Sequence, residues 1–179
     1  MTNEKEIVAA LKEDPERGFR LLMAQYKEAV YWHIRRLVVL HADAQDATQE
    51  TFVRIFRSFD RFRGDSSFTA WIYRIATNEA LRLLESRKEG QVSLDGDGSE
   101  VAGGIMADEY VDYSDLEAVK LQKAILSLPT KQQLAFNLRY YDELGYEEIA
   151  AVTDSTVAGV KANYHVAKEK IIQYMNSHD

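Results

Sequence analysis

The stretch DAQDATQETFVRIFRSFDRFRGDSSFTAWIYRIATNEAL, residues 43–81, decides the fold. Its first half repeats Ala44, Ala47, Thr48, Thr51, Phe52, Ile55, Phe56 and Phe59 at three- and four-residue steps, so an α-helix gathers them on one inward side. Asp43 is placed to open that helix as its N-cap. The other side carries Asp46, Gln49, Glu50, Val53 and Arg57, polar enough to face water or a partner. RFRGDSS breaks the pattern as a loop, and Ser66 is placed to cap the next helix. That helix turns Phe68, Trp71, Ile72, Ile75, Ala80, Leu83 and Leu84 inward.

Upstream, a short helix over Glu4 to Lys12 ends at Asp14-Pro15, and a longer one from about Gly18 to Leu40 carries Phe19, Leu22, Tyr26, Val30, Ile34, Leu37 and Val38 as a stripe. Together these four helices predict a compact bundle over residues 1–88. Residues 89–115 hold five Gly and no helical period, which predicts a flexible acidic linker. Over residues 116–179 a helix from Leu116 to Ser127 stops before Pro129, Thr130 is placed to cap KQQLAFNLRYYD, and two helices follow. Only Thr153-Asp154-Ser155 separates Tyr146 to Val152 from the last helix, which runs from Thr156 to about Tyr174. That spacing predicts a helix-turn-helix. The expected class is all-α, with two small helical domains and a linker between them.

Composition narrows the function. The net charge of -7 argues at first sight against nucleic acid, but its distribution does not. Residues 91–118 hold eight acids and no base, whereas residues 52–88 hold eight bases against four acids. A local positive surface therefore survives in the first domain. There is no cysteine, which excludes disulfides and thiolate sites and fits a reducing compartment. The acidic N-terminus and the lack of any long apolar run predict a cytoplasmic protein with no membrane insertion. His33, His41, His165 and His178 have no metal-ligand spacing, and no nucleophile motif or phosphate-binding loop is present. The chain is therefore expected to be no enzyme, with no cofactor, metal or small-molecule substrate.

Residues 43–81 resemble region two of the RNA polymerase sigma factors throughout, most specifically in QETF, FRGDSSF and the run W-x-Y-R-I-A-x-N. LPTKQQLAFNLRYYDELGYEEIAAVTDSTVAGVKANYHVAKEKI, residues 128–171, resembles sigma region four. Order and spacing are similar to the extracytoplasmic-function (group IV) sigma factors, which keep only these two domains. The resemblance implies an alternative sigma factor that binds core polymerase and directs promoter recognition, melting and initiation at a stress- or signal-responsive regulon.

It also implies site residues. Asp46, Gln49, Glu50 and Arg57 align with the surface that docks on the clamp helices of the largest polymerase subunits, and region four with the part that meets the flap. Phe62 and Asn78 match a pocket for a base flipped from the minus-ten element, with Arg63 and Arg74 beside them. Periodicity alone would have Phe62 close the bundle and Asn78 face water, and it makes Trp71 a core residue. Holding a separated strand calls for aromatic and basic groups, which Phe59, Phe62, Tyr73, Arg61, Arg63 and Arg74 supply. Lys161, Ala162 and His165 match the positions that meet the minus-thirty-five element, although Asn163 and Val166 stand where many members carry bases. Promoter DNA, core polymerase and an anti-sigma protein are the implied partners. The linker acids Asp95, Asp97, Glu100, Asp108 and Glu109 fit either a solvated tether or a finger that imitates nucleic-acid charge. Two other readings stay open: a stand-alone helix-turn-helix regulator, which requires a ligand pocket or dimer helix in the first domain, and a helical inhibitor that imitates sigma.

Overall fold

A computed structural model of the chain describes residues 3–64, 66–91 and 115–177, with the side chains of residues 89–91 set aside. Among these residues every regular element is helical. Helix α1 (Glu4–Glu13) opens where Asn3 Oδ1 accepts the Glu6 N–H at 2.9 Å, and it closes at Asp14. Pro15 takes the first position of α2 (Pro15–Val38), where its missing N–H forfeits no bond, so α2 starts before Gly18. The two helices approach closely because residue 18 is glycine. A Cβ there would overlap the backbone of Leu11 and stand 2.8 Å from the carbonyl carbon of Ala10.

α2 ends at Val39, a β-branched residue with φ of 74°, held there as the Arg35 Nε–H donates to its carbonyl oxygen at 2.8 Å. This early turn lets α3 (His41–Ser58) begin two residues before Asp43, with no side-chain cap. Asp43 is thus not the N-cap; it lies in the first turn, favourable to the helix dipole, and pairs with Arg87 at 3.3 Å. A 3-10 turn (Phe59–Arg61) comes next. Helix α4 (Phe68–Gln91) is capped by Ser67 rather than Ser66, its Oγ accepting the Ala70 N–H at 3.0 Å. α4 continues past residue 88, and the linker acids Asp95, Asp97, Glu100, Asp108 and Glu109 lie outside the described residues.

In the second unit α5 (Leu116–Leu126) is capped by Asp115, which accepts the Ala118 N–H at 3.1 Å. Thr130 is not a cap; it lies inside α6 (Thr130–Tyr140), which starts after Pro129 without a side-chain bond. α7 (Tyr146–Thr153) ends at Asp154, left-handed at φ 52°, and Thr156 Oγ1 accepts the Gly159 N–H at 3.0 Å to open α8 (Val157–Ser177). Ala124, Ile125, Leu128, Phe136, Ala167 and Ile171 form a core of this unit.

The two units do not stand apart. Leu134, Leu138, Leu144, Ile149 and Val152 join one buried cluster with Phe68, Ile72 and Tyr73 of α4 and the α2 stripe. Each such side chain taken from water contributes about 1.5–3 kcal/mol. α4 therefore has two faces to bury, one in its own bundle and one under the second unit.

Candidate nucleic-acid and polymerase interface

Asp46, Gln49, Glu50, Val53 and Arg57 all lie exposed along α3. Phe56, which periodicity turned inward, is 49% exposed and meets Phe19 only by an edge, ring centres 5.3 Å apart. Beside it runs a groove of about 1300 Å³ between α2 and α3, lined by Phe19, Met23, Tyr31, Phe52, Val53 and Phe56. Gln49 and Arg57 stand on its wall. An apolar trough with charged edges lies where a solvated helix surface alone would leave none.

Phe62 is half-buried against Phe68 and Trp71, at 5.3 and 5.4 Å between ring centres, and Trp71 stacks on Phe68 at 5.7 Å. It lines a cavity of about 500 Å³ below α1. Asn78 is exposed on α4 and lines a different cleft, of about 360 Å³, with Arg57, Arg61 and Arg82. The two residues thus do not line a common cavity. Arg63 and Arg74 are exposed. Arg57, grouped by sequence with the docking face, borders both the groove and the Asn78 cleft.

Tyr73 is not an open aromatic surface. It is 4% exposed, and its hydroxyl donates to Asp142 Oδ1 at 3.0 Å. Burial first, then the neighbouring Asp142 carboxylate, push the phenol well above its ordinary pKa, so it stays a neutral donor. Arg36 stands 3.7 Å and His33 Nδ1 3.6 Å from the other oxygen of Asp142. His33 Nε2 is 2.8 Å from Thr77 Oγ1, and the Arg36 guanidinium lies 4.2 Å from the centre of the Tyr141 ring. At the opposite end of the contact, Ser67 donates to Glu148 Oε2 at 2.7 Å while Glu148 Oε1 accepts the Gly145 N–H at 3.3 Å. One carboxylate thus bridges the starts of α4 and α7.

Lys161, Ala162 and His165 are all exposed on α8, while Val160, Ala167 and Ile171 fasten its other side. Lys161 Nζ sits 5.6 Å from the centre of the Tyr146 ring, and Arg139 approaches the same ring at 4.5 Å. His165 Nε2 lies 3.2 Å from Glu169.

Residues 22–89 match the family model of sigma-70 region 2, and residues 118–171 match that of sigma-70 region 4. Over 94% of its length the chain is 32% identical to the ECF RNA polymerase sigma-E factor of Escherichia coli, covering 92% of that protein. The chain belongs to the extracytoplasmic-function sigma factors. This sigma factor is also 31% identical to the RNA polymerase sigma-H factor of Pseudomonas aeruginosa, over 94% of its own length and 91% of that one. Two solved structures share its fold at 20% identity: CnrH, in complex with the cytosolic domain of CnrY, at a TM-score of 0.76 with 98% and 99% of the two chains covered, and RpoE from Bartonella quintana, in complex with the anti-sigma factor NepR, at 0.73 with 90% and 98% covered. The chain is an alternative sigma factor, and sigma factors are non-catalytic initiation factors. Because the matches span both helical units, the stand-alone regulator is not favoured. Among the described residues no helix of the sigma factor is long and apolar enough to cross a membrane.

Sequence reasoning missed the polar cluster of His33, Arg36 and Asp142 between the units. His33 reads as one more scattered histidine, and Asp142 as the polar end of a helix. Neither carries a local signal, because their partners are more than forty residues away. It also missed the paired Glu79, which sits beside Asn78 in the chain yet is 6% exposed.

Proposed function

We propose that the sigma factor docks on core polymerase through Asp46, Gln49, Glu50 and Arg57, at the clamp helices of the largest subunits, while region 4 meets the flap. The apolar groove bordered by Val53 and Phe56 carries this reading, since an apolar trough with charged rims suits an amphipathic helix. Phe62, Arg63, Arg74 and Asn78 then serve the minus-ten element, and Lys161, Ala162 and His165 the minus-thirty-five element. The protein works in the cytoplasm without catalysis of its own.

The two promoter elements lie roughly 85 Å apart along B-DNA, about 25 base pairs at 3.4 Å each. Units that share a buried cluster cannot span that distance, so the packed arrangement is the resting form and must open on the promoter. An anti-sigma protein is the matching regulator, a reading supported by the partner of the Bartonella quintana relative.

Fluorescence titration with core polymerase tests the docking. Asp46→Lys and Phe56→Ala should each weaken binding at unchanged helical content, and equal affinity for both variants removes the assignment. Run-off transcription on genomic DNA with the same holoenzyme would name the promoters.

A further inference from the structure

The two ends of the contact between the units are bonded differently. At the start of α4 both oxygens of Glu148 accept a hydrogen bond, from Ser67 at 2.7 Å and from the Gly145 N–H at 3.3 Å. At the other end Asp142 Oδ1 accepts from Tyr73 at 3.0 Å, but Oδ2 has only His33 Nδ1 at 3.6 Å and Arg36 Nη1 at 3.7 Å. Those distances serve charge attraction and lie beyond a good hydrogen bond. Asp142 Oδ2, His33 Nδ1 and Arg36 Nη1 are all buried, and among the described residues none of the three has a hydrogen-bond partner.

The apolar part of the contact favours closure, since Leu138, Ile149 and Val152 share one buried cluster with Ile72. The polar trio opposes it, because a buried donor or acceptor that lacks its bond recovers one in water when the units part. We propose that His33, Arg36 and Asp142 form a release element, whose unmet hydrogen bonds keep the closure of region 4 on region 2 reversible. The inference rests on the reading of the packed arrangement as the resting form, and it names what lets that form open. A release element differs from a plain salt-bridge latch in the sign of one result. Taking away a single member strands the charges that remain and opens the units, whereas apolar side chains of similar volume in place of the whole set are neutral or stabilising and shut them. A latch weakens in both cases.

Dyes on Glu85→Cys and Lys168→Cys read the separation by energy transfer in the full chain, titrated with core polymerase and the genomic fragment that gives the strongest run-off transcript. The variant His33→Leu/Arg36→Met/Tyr73→Phe/Thr77→Val/Asp142→Val makes the cluster apolar. It should raise the midpoint of opening by about tenfold and lower run-off transcription. In urea without polymerase its transfer should also persist to higher concentration, which separates tighter closure from weaker docking. A midpoint at or below that of the wild type overturns the proposal and makes the cluster a latch. His33→Leu/Thr77→Val is the milder replacement, since it removes one unmet atom together with both partners of the 2.8 Å contact. Its midpoint should rise about fivefold, and an unchanged one overturns the proposal even where the larger replacement does not fold. A wild type whose transfer stays constant on polymerase and promoter removes the resting form itself, and the release element with it.

Discussion

The Tyr73 hydroxyl in α4 donates to Asp142 Oδ1, 3.0 Å away, and so ties region 2 to the connection between α6 and α7 of region 4. The bond sits beside Arg36 and His33, where the second unit covers the Tyr73 side of α4. A carboxylate held by three groups from the other unit is a point where one substitution separates the two.

Asp142→Ala leaves the Tyr73 donor without its acceptor and Arg36 without its carboxylate. Loss of one partner of a buried hydrogen-bonded group costs about 1–3 kcal/mol, which lowers the closed population relative to the open one by roughly 5- to 150-fold. The chain has no cysteine, so dyes on Glu85→Cys and Lys168→Cys would report the separation directly by energy transfer. Undiminished transfer in Asp142→Ala would show that apolar packing alone holds the units.

The same bond sets a pH limit on closure. Closed, Tyr73 keeps its proton above the ordinary phenol range, because burial and Asp142 raise its pKa; open, the phenol titrates near 10. The contribution is complete below that value and is lost as the pH rises above it, by about 1.4 kcal/mol per pH unit. Energy transfer should therefore hold steady between about pH 6 and 9 and fall above about 10. Tyr73→Phe should flatten that fall, which separates it from lysine titration; an identical fall in the variant would assign the transition elsewhere.

Phe62→Ala and Asn78→Ala should bind core normally yet form open complexes slowly, since stacking of an unpaired base is worth about 1–3 kcal/mol. A pre-opened bubble template should restore transcription in part. Phe62 also packs on Phe68 and Trp71, so its variant should melt at a lower temperature, whereas Asn78→Ala, exposed on α4, should not. If both open duplex promoters at the wild-type rate, neither residue meets the strand.

Lys161 Nζ lies 5.6 Å from the centre of the Tyr146 ring, on the exposed side of α8. Lys161→Ala should then cost about 1–3 kcal/mol on the cognate upstream element and relax preference at one base pair. The salt slope should stay as it was. Even weakening across cognate and scrambled elements, with the slope lower by about one, would mark a phosphate contact instead.

Much of this was legible in the chain. Asp14-Pro15 marks the end of α1 because proline fits only the first turn of a helix, here α2. Thr153-Asp154-Ser155 marks the helix-turn-helix because so short a break, closed by a left-handed Asp154, turns one helix directly into the next. Trp71 was a packing residue by its period, and it stacks on Phe68. What escaped depends on residues far away in sequence. Asp43 lost the cap because Arg35 bends the chain at Val39 first, and Tyr73 is buried because Asp142 arrives from region 4. Periodicity describes one helix against one core; α4 has two neighbours. Phe56 shows the opposite limit, an apolar residue in step with the core that faces the groove instead.

Arg57 lines both the α2–α3 groove and the Asn78 cleft. Occupants of the two concavities that both reach Arg57 share a single guanidinium. Such sharing is reciprocal: if a ligand of the groove turns Arg57 toward itself, it alters the affinity of the cleft for its own ligand by the same factor by which that ligand alters affinity in the groove. A regulator seated in the groove would then reach the Asn78 cleft without covering it, through the rotamer of one side chain.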